Sequence, residues 1–163
     1  TPVPAQPGEI AWVCTNCGTG QKLDLETGLV PQTVHFHQDL QPGKNGRPFW
    51  VAEGKVTLDR KTYDAWDKAG VARKFWAAPR QFFIPAYQIG VDELVDTVMR
   101  YLEKPPALEE GPAEAFLPVT LSAEDIKPVA EYVVVGIEAH RRDDIKTVKF
   151  TLKLNPPALC VVP

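Results

Sequence analysis

EYVVVGIEAH, Glu131 to His140, is the stretch on which the fold turns, because it reads two ways. Ile126, Val129, Ala130, Val133, Val134 and Ile137 fall at the spacing of one helix face. Against a helix, Pro128 interrupts the segment, and Val133 to Val135 and Ile137 are β-branched. RRDD (Arg141 to Asp144) follows as a polar break. After it, IKTVKFTLKL alternates, with Val148, Phe150, Leu152 and Leu154 on one face and Lys149, Thr151 and Lys153 on the other. Taken as a strand, Glu131–His140 opens a hairpin, with a third strand at Leu159 to Val162.

An internal similarity favours the strand. GLVPQTV (Gly28 to Val34) matches AFLPVTL (Ala115 to Leu121), and DLQP (Asp39 to Pro42) matches DIKP (Asp125 to Pro128). FWVAEGKVTL (Phe49 to Leu58) then aligns with EYVVVGIEAH, Lys74-Phe75 with Lys149-Phe150, and PRQFFIP (Pro79 to Pro85) with PALCVVP (Pro157 to Pro163). The matches keep one order, so the sequence predicts a duplication. In the first copy the strands are expected at Phe49 to Leu58, Val71 to Trp76 and Gln81 to Ile84. Ser122, followed by Glu124 and Asp125, is expected to cap one helical turn entering the second. Between the copies, Val91 to Lys104 carries Val91, Leu94, Val95, Val98, Met99 and Leu102 on one stripe. Its first turn is acidic and Pro105-Pro106 stops it, which predicts a helix. The expected fold is mainly β (α+β). A Pro-rich arm (1–9) leads to a cysteine hairpin (10–27) and a first three-stranded meander (28–87). A helix with an acidic linker (88–114) joins this to a second, related meander (115–163).

Totals exclude several classes. The chain has 163 residues and a net charge of −3, which argues against a general nucleic-acid binder. No apolar run approaches the ~20 residues of a membrane helix. With no charged-then-apolar leader, Thr1 reads as a finished end, and the cytoplasm is slightly favoured over export or a membrane tether. Serine-nucleophile chemistry has one candidate, Ser122. Three cysteines is an odd number and does not suit a disulfide framework. Sixteen prolines beside one methionine fit a heat-adapted source or a GC-rich genome.

WVCTNCGTG, Trp12 to Gly20, carries the clearest chemistry. Two thiolates three residues apart can face one cation at ~2.3 Å if the chain turns back sharply. Gly18 can supply the positive φ of that turn. Strands are expected at Ile10 to Val13 and Gln21 to Leu25, with a turn at Leu25 to Gly28. Residues 10–28 resemble the knuckle of zinc-ribbon and rubredoxin-like proteins, which implies a structural zinc. Members of those families normally carry a second Cys-x-x-Cys, and this chain has one. The candidates to complete the site are His35, His37, Cys160 and His140. His35 and His37 would share one side of a strand, about 6.6 Å apart along the chain. The set Cys14, Cys17, His35 and His37 is therefore the expected site. Equally, this segment aligns with the polar entry turn at Ser122 and needs no metal. Cys160 aligns with Phe82 and reads as a core cysteine.

Other motifs fail. Gly18 stands where haem attachment needs histidine, and Gly18-Thr19-Gly20 opposes the helix of a thioredoxin site. GTGQKL lacks the third glycine of a dinucleotide fingerprint. Nine of the 15 aromatics lie between Phe49 and Tyr87, in a locally basic stretch, whereas Asp92 to Asp125 holds nine acids against two bases. These aromatics either fill a core or form a docking surface, with Tyr63, Trp66 and Trp76 as the expected exposed anchors. The reading that results is a non-enzymatic, zinc-stabilised interaction module of a larger assembly, binding a protein partner or itself. Two rivals stand beside it. One is a metal-dependent or redox protein using Cys14 and Cys17 with His35 and His37. The other is an exported self-associating protein with a Cys14–Cys17 disulfide.

Overall fold

The structure is a computed structural model that describes residues 5–63, 68–141 and 145–163. The first element group is a small antiparallel sheet of β1 (Ala11–Val13), β2 (Gly20–Asp24) and β3 (Gly28–Pro31) in the order β1-β2-β3. The β2–β3 turn is fixed by Asp24, whose Oδ1 accepts from the Glu26 and Thr27 N–H groups and the Thr27 hydroxyl. Those donors, first the Thr27 hydroxyl, hold the Asp24 carboxyl below its ordinary pKa. Gly28 closes the turn at φ +83°.

The larger sheet is built on one long strand, β5 (Arg47–Thr62). β6 (Arg80–Pro85) pairs along one side of it. The other side is filled end to end by β8 (Ala158–Val162), against 47–51, and β7 (Ile145–Leu154), against 54–62. Leu154 faces Gly54 and Ala158 faces Val51, so four steps of one strand oppose three of the other. Asn155-Pro156-Pro157 fills this bulge, where prolines need donate to no ladder. β4 (Val34–Phe36) joins the outer edge of β8 in parallel register.

Helices α1 (Lys68–Phe75), α2 (Val91–Glu103) and α3 (Ile126–Ala139) contribute to the core on one face of this sheet. That face supplies Trp50, Ala52, Val56, Phe82, Ile84, Leu152 and Leu159. The opposite face is apolar in its lower half, where Phe49, Val51, Phe83, Cys160 and Val162 are buried with Tyr87 and Tyr101 packed against them. Its upper half is exposed and carries Lys55, Lys61, Lys149 and Lys153.

Strand content exceeds helix content, at 37% against 24%, so the mainly β class holds. The two related meanders do not. Glu131–His140, expected as a strand, forms α3 up to Ala139 with His140 as its C-cap, and Val71–Trp76, expected as a strand, lies mostly in α1. The first segment folds strand–helix–strand and the second helix–strand–strand, so the aligned halves differ in element type.

The physics of α3 explains the error. A strand would bury Val133 and Val135 together and expose Val134. Instead Val133 and Val134 are both fully buried, and Tyr132 and Val135 are half exposed, the period of a helix. β-Branching costs a helix at most ~0.7 kcal/mol per residue, whereas burying each such side chain contributes ~1.5–3 kcal/mol. Packing outweighs propensity. Pro128 sits in the first turn of α3, where its missing N–H removes no helical bond. The Ser122 cap is formed as expected: its hydroxyl accepts from the Asp125 N–H at the start of a 3-10 turn, Ala123–Asp125.

Arg80 ties two helix ends to the sheet. Its Nε donates to the Phe75 carbonyl (2.7 Å) and its Nη1 to the Leu102 carbonyl (2.9 Å), with the guanidinium 3.8 Å from the Phe75 ring centroid. These are carbonyls that helix C-termini leave without intrahelical partners. Arg80→Lys is expected to cost about 1–2 kcal/mol, since an ammonium cannot keep the forked geometry and the stacking together. A chemical denaturation midpoint within error of the parent would contradict this role.

Candidate functional site

Two places bring chemistry-bearing side chains together. The first is the β1–β2 turn. The Cys14 N–H donates to the Thr19 carbonyl (2.9 Å) and the Gly18 N–H to the Cys14 carbonyl (2.8 Å), closing a tight loop. Gly18 takes φ +70°, as its position after Cys17 predicts. Both thiols are free, Cys17 is exposed and Cys14 is half-buried. The Thr19 hydroxyl and N–H, and then the Cys14 side chain, hydrogen-bond the Cys17 sulfur and hold its pKa below the ordinary thiol value. The strand leaving this loop is tightly packed. A Cβ on Gly20 would lie 2.0 Å from the Gln32 carbonyl oxygen, and the Gln32 N–H donates to the Gly20 carbonyl at 2.9 Å. Gly20→Ala is therefore expected to push β3 off β2, lowering stability by about 1–3 kcal/mol. Hydrogen exchange at the Gln32 amide would report it; protection equal to the parent's would contradict it.

The second place lies at the edge strand β4 and the linker that follows α2. His35 and His37 do point to one side of the chain, as the alternation predicts, but the linker occupies them. The His37 Nε2–H donates to the Ala107 carbonyl (2.7 Å), and its Nδ1 accepts from the Asp39 N–H (3.1 Å). Both ring nitrogens are thus engaged by backbone. His35 Nδ1 meets the Glu110 carboxylate. Gln38 holds Glu109 through its side chain (2.6 Å) and its N–H (2.9 Å, to the carbonyl), and the Gly111 N–H donates to the Phe36 carbonyl (2.7 Å). Residues 107–111 are zipped along β4 as a result.

A cavity of about 250 Å3 lies under this clasp, bounded by His35, Leu108, Glu110, Ala158 and Cys160 among others. Cys160 is the direct cross-strand partner of His35. Thiol, imidazole and carboxylate are the parts of a nucleophilic site. Their state argues otherwise. Burial, and then the Glu110 charge, push the Cys160 thiol up to about 11, and it points to the Ala158 carbonyl (4.0 Å). A thiol held protonated is a poor nucleophile near neutral pH. Folded, reduced protein stripped of metal and treated with iodoacetamide at pH 7.5 is expected to be labelled at Cys17 many times faster than at Cys160. Peptide mapping by mass spectrometry would check this, and equal rates at the two would contradict it.

The expected four-residue metal set is therefore divided. Cys14 and Cys17 flank the tight turn of the knuckle, while His35 and His37 serve the linker clasp. Among the described residues no group of three or more His, Cys, Asp and Glu side chains is placed to hold a metal ion. His140 Nδ1 bonds the Gly136 carbonyl at the end of α3 (2.6 Å). Of the expected surface anchors, Tyr63 is 71% exposed, Trp66 lies outside the described residues, and Trp76 is 3% exposed, which corrects its reading as an exposed anchor. Trp76 stacks on Phe82 (6.1 Å between centroids) and donates from Nε1 to Glu138 Oε1 (2.8 Å). Most of the other aromatics between Phe49 and Tyr87 likewise fill core.

Glu109 and Glu110 were not singled out in the sequence. Their partners stand some 70 residues upstream, and an acidic, proline-flanked segment carries no pattern that points to an edge strand. Glu138 was missed for another reason. It lies on the buried stripe of α3 only when that segment is read as a helix. No family model, curated protein or solved structure matches this chain significantly.

Proposed function

We propose that this chain is a non-enzymatic interaction module of a larger assembly, with a zinc ion held at the Cys14–Cys17 knuckle. The observation that carries the reading is the tight turn between the two cysteines, closed by the Cys14 N–H to the Thr19 carbonyl and the Gly18 N–H to the Cys14 carbonyl, with Gly18 at positive φ. Two thiolates on one tetrahedral zinc lie ~3.8 Å apart at ~2.3 Å Zn–S distances, a spacing that two cysteines three residues apart on a sharp turn can supply. A docking role is supported by exposed apolar side chains on the same small sheet, Leu23, Leu25 and Leu29. Replacing Cys14 and Cys17 together by serine is expected to abolish zinc in protein purified without chelator. Replacing His35 and His37 by alanine is expected to leave it. Elemental analysis decides; zinc retained in the double serine variant, or none in the parent, would overturn the reading.

The acidified Cys17 thiol favours a second reading, a redox dithiol that cycles with a Cys14–Cys17 disulfide. It predicts a metal-free parent whose two thiols oxidise and reduce reversibly in a glutathione buffer without loss of fold.

A further inference from the structure

The knuckle is a half-site. It offers two sulfurs, whereas structural zinc is closed by four ligands, most stably by thiolates and imidazoles. His35 of β4 and His37 just after it are committed to the linker: His37 has both nitrogens bonded to backbone and His35 faces Glu110. Among the described residues no third ligand reaches the two cysteines. Cys17 is exposed at the tip of the β1–β2 turn, so the open side of the half-site faces outward.

We infer that a second copy of this chain completes the site, its own Cys14 and Cys17 closing a four-thiolate zinc on a two-fold axis between the two molecules. This inference rests on the proposed metal-binding knuckle and adds the partner to it. The argument for a second copy is one of number and symmetry. Each molecule carries the same two-sulfur donor at an outward turn, and two such donors make a complete tetrahedral set without any further residue. An isologous pair places one patch against itself, so a shared ion on the axis needs no complementary surface elsewhere. On binding, each thiol gives its proton to solvent and the metal keeps its oxidation state, so no oxidant or reductant enters.

The test is a zinc titration of full-length, metal-stripped, reduced protein, read by light-scattering mass and by elemental analysis on the same samples. The expected result is a dimer with one zinc per two chains, returning to monomer when a strong chelator is added. Cobalt substituted for zinc is expected to give the intense absorption of a four-sulfur tetrahedral site. One zinc per chain at monomer mass would overturn the bridge and leave metal binding at the knuckle standing. No bound zinc would overturn both. A dimer that survives chelation, or that forms equally in the Cys14→Ser, Cys17→Ser double variant, would also overturn the bridge. Because the knuckle lies outside the main core, that variant is expected to keep the thermal transition of the metal-free parent, which separates loss of the bridge from loss of the fold.

Discussion

Glu138→Ala is expected to lower the free energy of unfolding by about 3–5 kcal/mol, the range for breaking a buried ion pair by removing one partner. Glu138 is 1% exposed on the inner face of α3. Its Oε2 lies 3.1 Å from Arg60 Nε of β5, an ion pair without hydrogen-bond alignment, and its Oε1 accepts from Arg141 Nε (2.8 Å) and Trp76 Nε1 (2.8 Å). The Glu138 carbonyl also accepts from Arg60 Nη2 at 3.3 Å. One carboxylate thus joins the central strand, the end of α1 and the C-terminal end of α3. Alanine removes the acceptor of the Trp76 indole and the counter-charge of two guanidinium groups while leaving space behind. Glu138→Gln keeps the volume and one acceptor, so its cost is expected to be smaller, about 2 kcal/mol. Urea denaturation of the pair checks both. A Glu138→Ala midpoint near the parent's would show that the cluster contributes specificity of packing and little stability.

Phe49→Ala should be as severe, about 3–5 kcal/mol, for a different reason. Phe49 is fully buried on the second face of the sheet and packs edge-on against Phe83 (6.1 Å), Tyr87 (5.7 Å) and Tyr101 (5.1 Å). Tyr101 comes from α2 and Phe83 from β6, so the ring helps hold this helix to this strand. Phe49 is also the cross-strand partner of Cys160. The void left by alanine opens beside that thiol. Alkylation of Cys160 is therefore expected to rise along with the loss of stability, and Phe49→Leu is expected to restore most of both. Calorimetry and thiol mapping on the same samples read the two effects. A destabilised variant whose Cys160 stays as protected as in the parent would contradict the coupling between this core and the cavity.

How much of this was legible in the sequence depends on which force decided each element. Alternation located β7 and part of β5, and short apolar runs bounded by prolines located β6 and β8, which are buried on both faces. The stripe and the proline stop located α2, and Ser122 located the turn before α3. The same rules failed at Val71–Trp76 and Glu131–His140. There, β-branched and aromatic residues satisfy a helix face and a strand equally, and the internal similarity tipped the choice toward strand. Tertiary burial of Ala72 and Trp76, and of Val133, Val134 and Ile137, settled it. At the candidate site the local part was readable: Gly18 takes its positive φ on a tight turn between the two cysteines. The distant part was not. Assigning His35 and His37 to a metal assumed that nothing else would claim them. The pairing of residues 107–111 with β4 is a long-range event that no spacing in either segment encodes.

The most direct measurement of the central claim is X-ray absorption at the zinc edge of the purified, zinc-loaded protein. The account predicts a first shell made of sulfur at ~2.3 Å, lost when Cys14 and Cys17 are replaced by serine and unchanged when His35 and His37 are replaced by alanine. A first shell of nitrogen and oxygen at ~2.0–2.1 Å with no sulfur, or a sulfur shell that survives the loss of both cysteines, would contradict it.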